Sequence, residues 1–597
     1  MVANASSYQA EPTEDSVQNL NHIVFRRVGR GAAPIAEADL SLIRGKVLQL
    51  QLPTHLEDIS STRIRENIDL GRDISNLIDP NVQDYIYQNS LYLREPQYKK
   101  VVEVGTLDFS FTAHPGVGLL EEVNAFLAEH KLPCREMDPR DSLMIIREHA
   151  VPHKIMGILS MRTVNSVGLY KALGNAQQAD YIRNHSAGRI CMVTGLHYPN
   201  RAYQYDIPQL LLTDALFQAL ADDCSYAVYA QPEGAPRELE DLMRRSGFLP
   251  LPRDLGSRLL MLTDMRSPVA LIQNIPTTLK EPFASHPTVL AAVHRANLRF
   301  QRAVADLYPG TVVLSLNAEV IYHRLVRKIT QINGVPAEPT HPRVLGPKMC
   351  APFGKILRGN AIPNTVTKTI HTDKVFEPDL KSFTIREFPG YAPLDSQVRT
   401  IRSFQRPVIL VDDLLHPAIR LKVLTPLLQR HNDTIDRVLV GLLSGRGRDL
   451  VEDQGLKADC VYFIPNLRAW FTESTMYPFI GGDTVRDVEP SVPGLTPAVN
   501  LILPYAFPSF YKECSRDAVL RFSRTCIENS RDILAVLESV YREKYARILT
   551  LSRLSEAVIL PLSPDKGSCL SYDPNLPASK CLDNDLLTLV RMRRVLE

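Results

Sequence analysis

The sequence has no Cys-x-x-Cys pair and no cluster of cysteine and histidine at metal-ligand spacing. Its nine cysteines are dispersed and odd in number, which excludes a disulfide frame and a zinc site and reads as reduced thiols. It has no apolar run of membrane-spanning length and no charged-then-apolar leader at Met1. The expectation is a cytoplasmic protein with no membrane partner. Charge of either sign is not in excess: 68 Lys and Arg face 66 Asp and Glu, a net charge of +2. Bulk electrostatics therefore recruits no polyanion, and no nucleic-acid partner is expected. There is no internal repeat and no heptad run, and only one tryptophan, Trp470. Glycine is outnumbered by proline, 29 to 43, and the prolines fall at loop and domain junctions.

What is present suits a large globular chain. Its 597 residues are enough for about three or four domains. A hydrophobic content of 45% supplies packed cores, and a charged content of 22% is ordinary. The pattern predicts a multidomain α/β protein: a polar, disordered N-terminus over residues 1–20, then units over 21–95, 96–265 and 289–515, a proline-rich connector at 266–288, and a helical region at 516–597.

The first chemical signal is Ile59-Ser60-Ser61-Thr62-Arg63-Ile64-Arg65. Hydroxyls opening a helix, with arginines on its first turn, are a phosphate-binding design; free N–H groups and the positive helix end attract an anion, and Arg adds a fork. An ordinary N-cap has the same composition. The run from Ile43 to Tyr92 resembles the C-terminal segment of nucleotidyltransferases of the nicotinate-nucleotide adenylyltransferase and cytidylyltransferase type. The resemblance implies that Ser60, Ser61, Thr62 and Arg65 lie against the phosphates of a nucleoside triphosphate. Those families carry an HxGH signature on an earlier strand, and this sequence has none. The chain therefore reads as beginning inside that unit.

Residues 96–265 alternate strands and helices. Ile190–Pro199 is a central strand and turn, Leu210–Ala221 a helix, and Leu242-Met243-Arg244-Arg245-Ser246-Gly247-Phe248 a late helix ending on glycine. This order resembles the GNAT acyltransferase fold, which implies acetyl-CoA as cofactor. The family's pyrophosphate turn is glycine-rich. Here Asn200–Pro208 has no glycine and includes Asp206, which repels phosphate, so acetyl-CoA is doubtful.

In the third unit, Pro407–Val411 is a buried-type strand ending in Asp412-Asp413. Two carboxylates at a strand tip can hold ribose hydroxyls or a Mg²⁺-bound sugar, with a 5′-phosphate on the helix after it. The segment resembles the signature of type I phosphoribosyltransferases. It implies Mg²⁺ and phosphoribosyl pyrophosphate (PRPP), with Asp412 and Asp413 as catalytic and metal-sugar residues. Lys348, Lys355, Arg358, Lys368, His371 and Lys374 form a cationic stretch suited to a pyrophosphate, and Arg420 or His416 supplies charge to the phosphate. The turn after the acids has Pro417 and no glycine. Ser444-Gly445-Arg446-Gly447-Arg448 is a basic turn that meets an anion or is simply solvated. Trp470 covers the sugar-binding end or belongs to the core. The combined expectation is a transferase-type protein of nucleotide or NAD-like metabolism, acting on a nucleotide or phosphorylated sugar, possible also as a homo-oligomer. The alternative is a non-catalytic nucleotide- or PRPP-sensing scaffold with degenerate sites.

Overall fold

The computed structural model describes residues 19–26 and 43–51, a few positions between 61 and 82, and residues 100–596 apart from 102–104, 133–139, 200–204, 232–235, 253–258, 341–343, 358–359, 390, 432, 487–491, 493–494, 507–513 and 565–571. The chain divides into two compact units, Met1–Gln97 with Gly390–Ala392, and the rest from Tyr98 onward. In the first, strands β1 (His22–Arg26) and β2 (Val47–Gln51) pair in parallel, His22 opposite Val47.

The second unit opens on a mixed sheet. Strands β3 (Leu107–Thr112), β4 (Ser142–Glu148), β5 (Val151–Val164) and β6 (Arg189–His197) run antiparallel in turn; β7 (Cys224–Ala230) is parallel to β6, and β8 (Leu260–Gln273) is antiparallel to β7. Helix α1 (Val117–Glu129) follows β3. Helices α2 (Ser166–Leu173) and α3 (Ala176–His185) are started by Asn165 and Asn175, whose side chains accept backbone N–H bonds. Helix α4 (Ile207–Ala221) follows β6 and α5 (Arg237–Arg245) follows β7. The apolar residues of α4 go all the way round, Leu210, Leu211, Leu212, Ala215 and Leu216 among them, and all five are buried. Such a helix must be enclosed on every side.

Strand β8 crosses the position where the prolines suggest a boundary at 265 and a connector at 266–288. Its first half, Leu260–Asp264, pairs with β7. Its second half, Val269–Ile272, is flanked in parallel by β9 (Thr311–Asn317) and by a strand from much later, Ala469–Thr472. Both partners belong to the stretch assigned by sequence to the phosphoribosyltransferase-like unit. Pro268 does not break the strand because it falls in a register shift between Asp264 and Val269, where the ladder to β9 lapses. Helix α6 (Pro287–Leu307) precedes β9, and α7 (Ala318–Asn333), capped by Asn317, follows it.

The chain next makes β10 (Met349–Pro352), β11 (Val366–Thr367), a hairpin of β12 (Thr372–Phe376) and β13 (Phe383–Glu387), helix α8 (Leu394–Ser403), and then β14 (Val408–Leu415), α9 (Ile419–Arg430), β15 (Ile435–Ser444), α10 (Gly445–Glu452) and β16 (Ala458–Ile464). A parallel sheet results, in the order β11-β10-β14-β15-β16. Strand order reverses between β10 and β14, the switch point where open α/β sheets hold ligands beyond the strand carboxyl ends. Strand β17 (Ala469–Thr472) joins β8, and β18 (Asp483–Val485), β19 (Thr496–Val499) and β20 (Leu562–Ser563) complete a third sheet with β12 and β13. Helix α11 (Glu473–Met476) is a single turn; α12 (Arg516–Tyr545) and α13 (Ala578–Leu596) pack with α6 around Phe300, Phe522 and Leu534.

One apolar core joins the first two sheets. Leu196 and Leu211 share it with Val326, Val411, Leu442 and Tyr462. Phe217 of α4 stacks on Tyr462 of β16 at 4.3 Å between ring centroids, and Asp214 pairs with Arg324 of α7 at 2.8 Å. Each large side chain buried there contributes about 1.5–3 kcal/mol. What sequence reads as separable units is a single body from Tyr98 onward.

Candidate functional site

Strand β14 runs on past Asp412 and Asp413 to Leu415, so it does not end at the acids as its sequence suggests; the pair stands where the neighbouring β10 has ended, Pro352 being opposite Val411, at the switch point. Asp412 is 1% exposed. Its carboxylate faces Arg420 of α9 at 3.3 Å and accepts the Asp413 N–H at 2.9 Å. Gly354, just past β10, lies against it; a Cβ there would come 2.0 Å from Asp412 Oδ1. Burial pushes the Asp412 pKa well up, Arg420 draws it down, and Asp413 raises it again. Burial disfavours the charge on Arg420, but Asp412, Asp413 and Asp373 raise its pKa. Asp412 is thus one half of an enclosed ion pair. Mg²⁺ takes octahedral oxygen ligands and keeps several waters. The residues here do not suit it: the inner carboxylate is committed to Arg420, and among the described residues no group of three or more His, Cys, Asp or Glu could hold a metal ion.

The expected pyrophosphate lysines do not converge. Lys348 sits at the amino end of β10, opposite to the acids, and pairs with Asp436 at 2.7 Å. Lys355 lies between Asp373 (4.0 Å) and Asp483 (3.9 Å), and Lys374 pairs with Asp483 at 3.4 Å over the rings of Phe376 and Phe383. Lys368 is 2% exposed. Arg358 lies outside the described residues. Sequence shows the cations of this stretch but not the carboxylates that fold against them.

A different set of cations gathers beyond the carboxyl ends of β14, β15 and β16. A cavity of about 860 Å³ there is lined by His416, Arg446, Arg448, Asp449, Phe463 and Arg468, among others. The turn read as possibly solvated is the start of helix α10. Ser444 caps it by accepting the Gly447 N–H at 3.0 Å. Its two glycines permit close approach to the strand ends: a Cβ at Gly445 would lie 2.4 Å from the Pro465 carbonyl oxygen, and one at Gly447 2.1 Å from that of Leu415. Arg446 and Arg448 consequently stand over the crevice. Arg446 makes no salt bridge among the described residues, whereas Arg448 faces Asp449 at 3.7 Å and Glu452 at 3.9 Å and lies over the Phe463 ring. His416 Nδ1 is 2.8 Å from Ser444 Oγ, and burial, then Arg446, lowers its pKa. A neutral imidazole held by a hydroxyl can give or take a proton at Nε2. Trp470 is 41% exposed and its ring lies 5.3 Å from that of His416, so it stands beside this crevice and not in the core. Arg468, two residues earlier and just before the strand, carries no distinguishing sequence signal; it lines the cavity while its guanidinium lies over the Tyr308 ring and donates to Thr311 Oγ1 at 3.4 Å.

In the first sheet, β6 pairs with β7 from Arg189 to Val193, while Gly195–His197 pair only with β5. A bulge leaves Thr194 unpaired opposite Ser160–Met161, its hydroxyl on Asp141 (3.1 Å) and Ser160 (2.9 Å). Helix α4, whose N-terminus the GNAT resemblance gives to a pyrophosphate, is capped by Asp206, which accepts the Gln209 N–H at 3.2 Å, and has Pro208 in its first turn. A carboxylate already occupies the anion position there, and Pro lacks an N–H. The residues at this end do not suit acetyl-CoA. Of the N-terminal motif, Ser60 and Thr62 lie outside the described residues. Ser61 and Arg65 are exposed, and Arg65 Nε donates to the Ser61 carbonyl at 3.0 Å.

No family model matches the chain, and no curated protein does. Solved structures do. Arabidopsis thaliana NAA60 in complex with acetyl-CoA matches at 11% identity and a TM-score of 0.22, over 27% of this chain and 99% of that one. Drosophila melanogaster polyamine N-acetyltransferase matches at 10% and 0.19, over 26% and 100%. The Escherichia coli ribosomal-protein-S18-alanine N-acetyltransferase matches at 9% and 0.19, over 26% and 93%. These likenesses concern fold alone, over about a quarter of this chain, and say nothing of activity. Among the described residues no helix is long and apolar enough to cross a membrane.

Proposed function

We propose that this chain is a transferase-type protein that binds a phosphorylated small molecule, a nucleotide or a phosphorylated sugar, in the crevice beyond β14, β15 and β16. The observation that carries this reading is the cavity itself: three arginines and a histidine against one lining aspartate, at the carboxyl ends of parallel strands and at the positive end of α10. Arg446 and Arg468 grip the phosphate oxygens, and Arg448 swings to them from its exposed carboxylate partners. His416 Nε2 serves as the proton donor or acceptor at the bound group. Asp412 and Arg420 stand outside the lining of this cavity, and neither Mg²⁺ nor acetyl-CoA is assigned a place. The acyltransferase-type sheet acts here as a scaffold, because Asp206 and Pro208 close the anion position on α4.

Isothermal titration calorimetry with pyrophosphate, ribose 5-phosphate and PRPP tests the reading. The wild-type chain is expected to bind at least one of them, with affinity falling as salt rises. Arg446→Ala with Arg448→Ala, both exposed and so compatible with folding, is expected to weaken binding at least tenfold. No heat with any of the three, or equal affinity in the variant, would refute it.

A further inference from the structure

We propose that the ligand of this crevice carries an aromatic base, and that the base stacks on Trp470, which makes a nucleotide the substrate class over a bare phosphorylated sugar. The inference rests on the cavity reading above and adds the second half of the ligand.

Three observations converge on it. First, Trp470 is turned away from the core. In strand β17 its neighbour Phe471 faces the core, 1% exposed and against Phe522 and Tyr308, while Trp470 turns the other way with 41% of its surface open. An outward position on a strand satisfies its backbone with any residue, yet this one holds the single tryptophan of the chain. Second, its place is the edge of the cationic crevice. The segment Pro465–Arg468 lines the cavity and runs directly into Trp470, and the Trp470 ring contacts His416, which lines the cavity too. An anion held by the arginines leaves the rest of the molecule beside that ring. Third, the dimensions agree: about 860 Å³ lies within the range of pockets for nucleotide-sized ligands. Cations alone recognise a phosphate; cations with an adjacent open indole recognise a phosphate joined to a flat ring.

Because the chain has one tryptophan, its fluorescence reports on this position alone. The experiment titrates the full chain with ADP, UDP, ribose 5-phosphate and pyrophosphate, following tryptophan emission and, in parallel, heat by calorimetry. Base stacking of this kind is expected to tighten binding by about 5- to 150-fold. A nucleotide should quench the emission and bind at least fivefold more tightly than ribose 5-phosphate. Trp470→Leu should erase that advantage and leave pyrophosphate affinity within about twofold, and Trp470→Phe should restore most of it. A nucleotide that binds no more tightly than ribose 5-phosphate, or an advantage that survives Trp470→Leu, overturns the inference while pyrophosphate binding leaves the cavity reading standing. If neither nucleotides, pyrophosphate nor ribose 5-phosphate binds, both fall.

Discussion

At Asp412 the carboxylate is enclosed, and Arg420 is its close cationic partner at 3.3 Å. Asp412→Asn would leave Arg420 to Asp413 at 3.9 Å. Removing one partner of a buried pair costs about 3–5 kcal/mol, so denaturant unfolding should show a large loss of stability, while the folded variant binds pyrophosphate about as well as wild type. A variant of normal stability that has lost binding would return the chemistry to the acids. Glu473 supplies a second residue-scale test. It is fully buried, its pKa is pushed up to about 8 by burial, and Tyr477 donates to it at 2.9 Å. An unfolded glutamate titrates near 4.3, so between those values the native state holds a proton that the unfolded state has released. Stability from this group is full below about pH 4 and falls by about 1.4 kcal/mol per pH unit towards pH 8. Glu473→Gln should flatten that fall in unfolding measured across pH; an unchanged slope would show Glu473 ionised in the native state. Sequence displays the strand that carries Asp412 and Asp413, because four apolar residues precede them, but not that it continues to Leu415. It does not display Asp436 and Asp483 arriving on Lys348 and Lys374 from 88 and 109 residues away, nor that Arg420, eight residues after Asp412, turns back to its carboxylate.

At the scale of elements, regular periodicity is what reads best. The late helix read in Leu242–Arg245 is the end of α5 (Arg237–Arg245), and the buried run of β14 is recognisable by composition. Helix α3 is missed, because its polar sequence Ala-Gln-Gln-Ala-Asp-Tyr has little apolar stripe to reveal it. Ser444–Arg448 reads as a loop for a related reason: two glycines suggest flexibility, whereas here they supply space. Their role predicts that Gly447→Ala, which sets a Cβ 2.1 Å from the Leu415 carbonyl oxygen, displaces the start of α10. Pyrophosphate affinity should drop about tenfold or more by calorimetry, with a lowered melting temperature. Unaltered affinity would mean that α10 does not set the position of Arg446 and Arg448.

Across the molecule, an alternation of strands and helices is legible as local pattern, and the joints between units are not. The prolines suggest a boundary at 265, but β8 runs across it and through Pro268 to Gln273. It draws β9 and β17 from the far side of that boundary into the first sheet, and one core then runs from Leu196 to Tyr462. Calorimetric scanning should therefore show the unit from Tyr98 onward unfolding in one transition, and two separated transitions within it would contradict a shared core. Expression of residues 98–265 or 266–597 alone should yield insoluble protein, because each half exposes the cut edge of β8. The same strand bears on how such a chain can change through descent. When two lobes own one strand, no deletion can discard one and spare the other. Both lobes must then be inherited together, with β8 the segment least free to change.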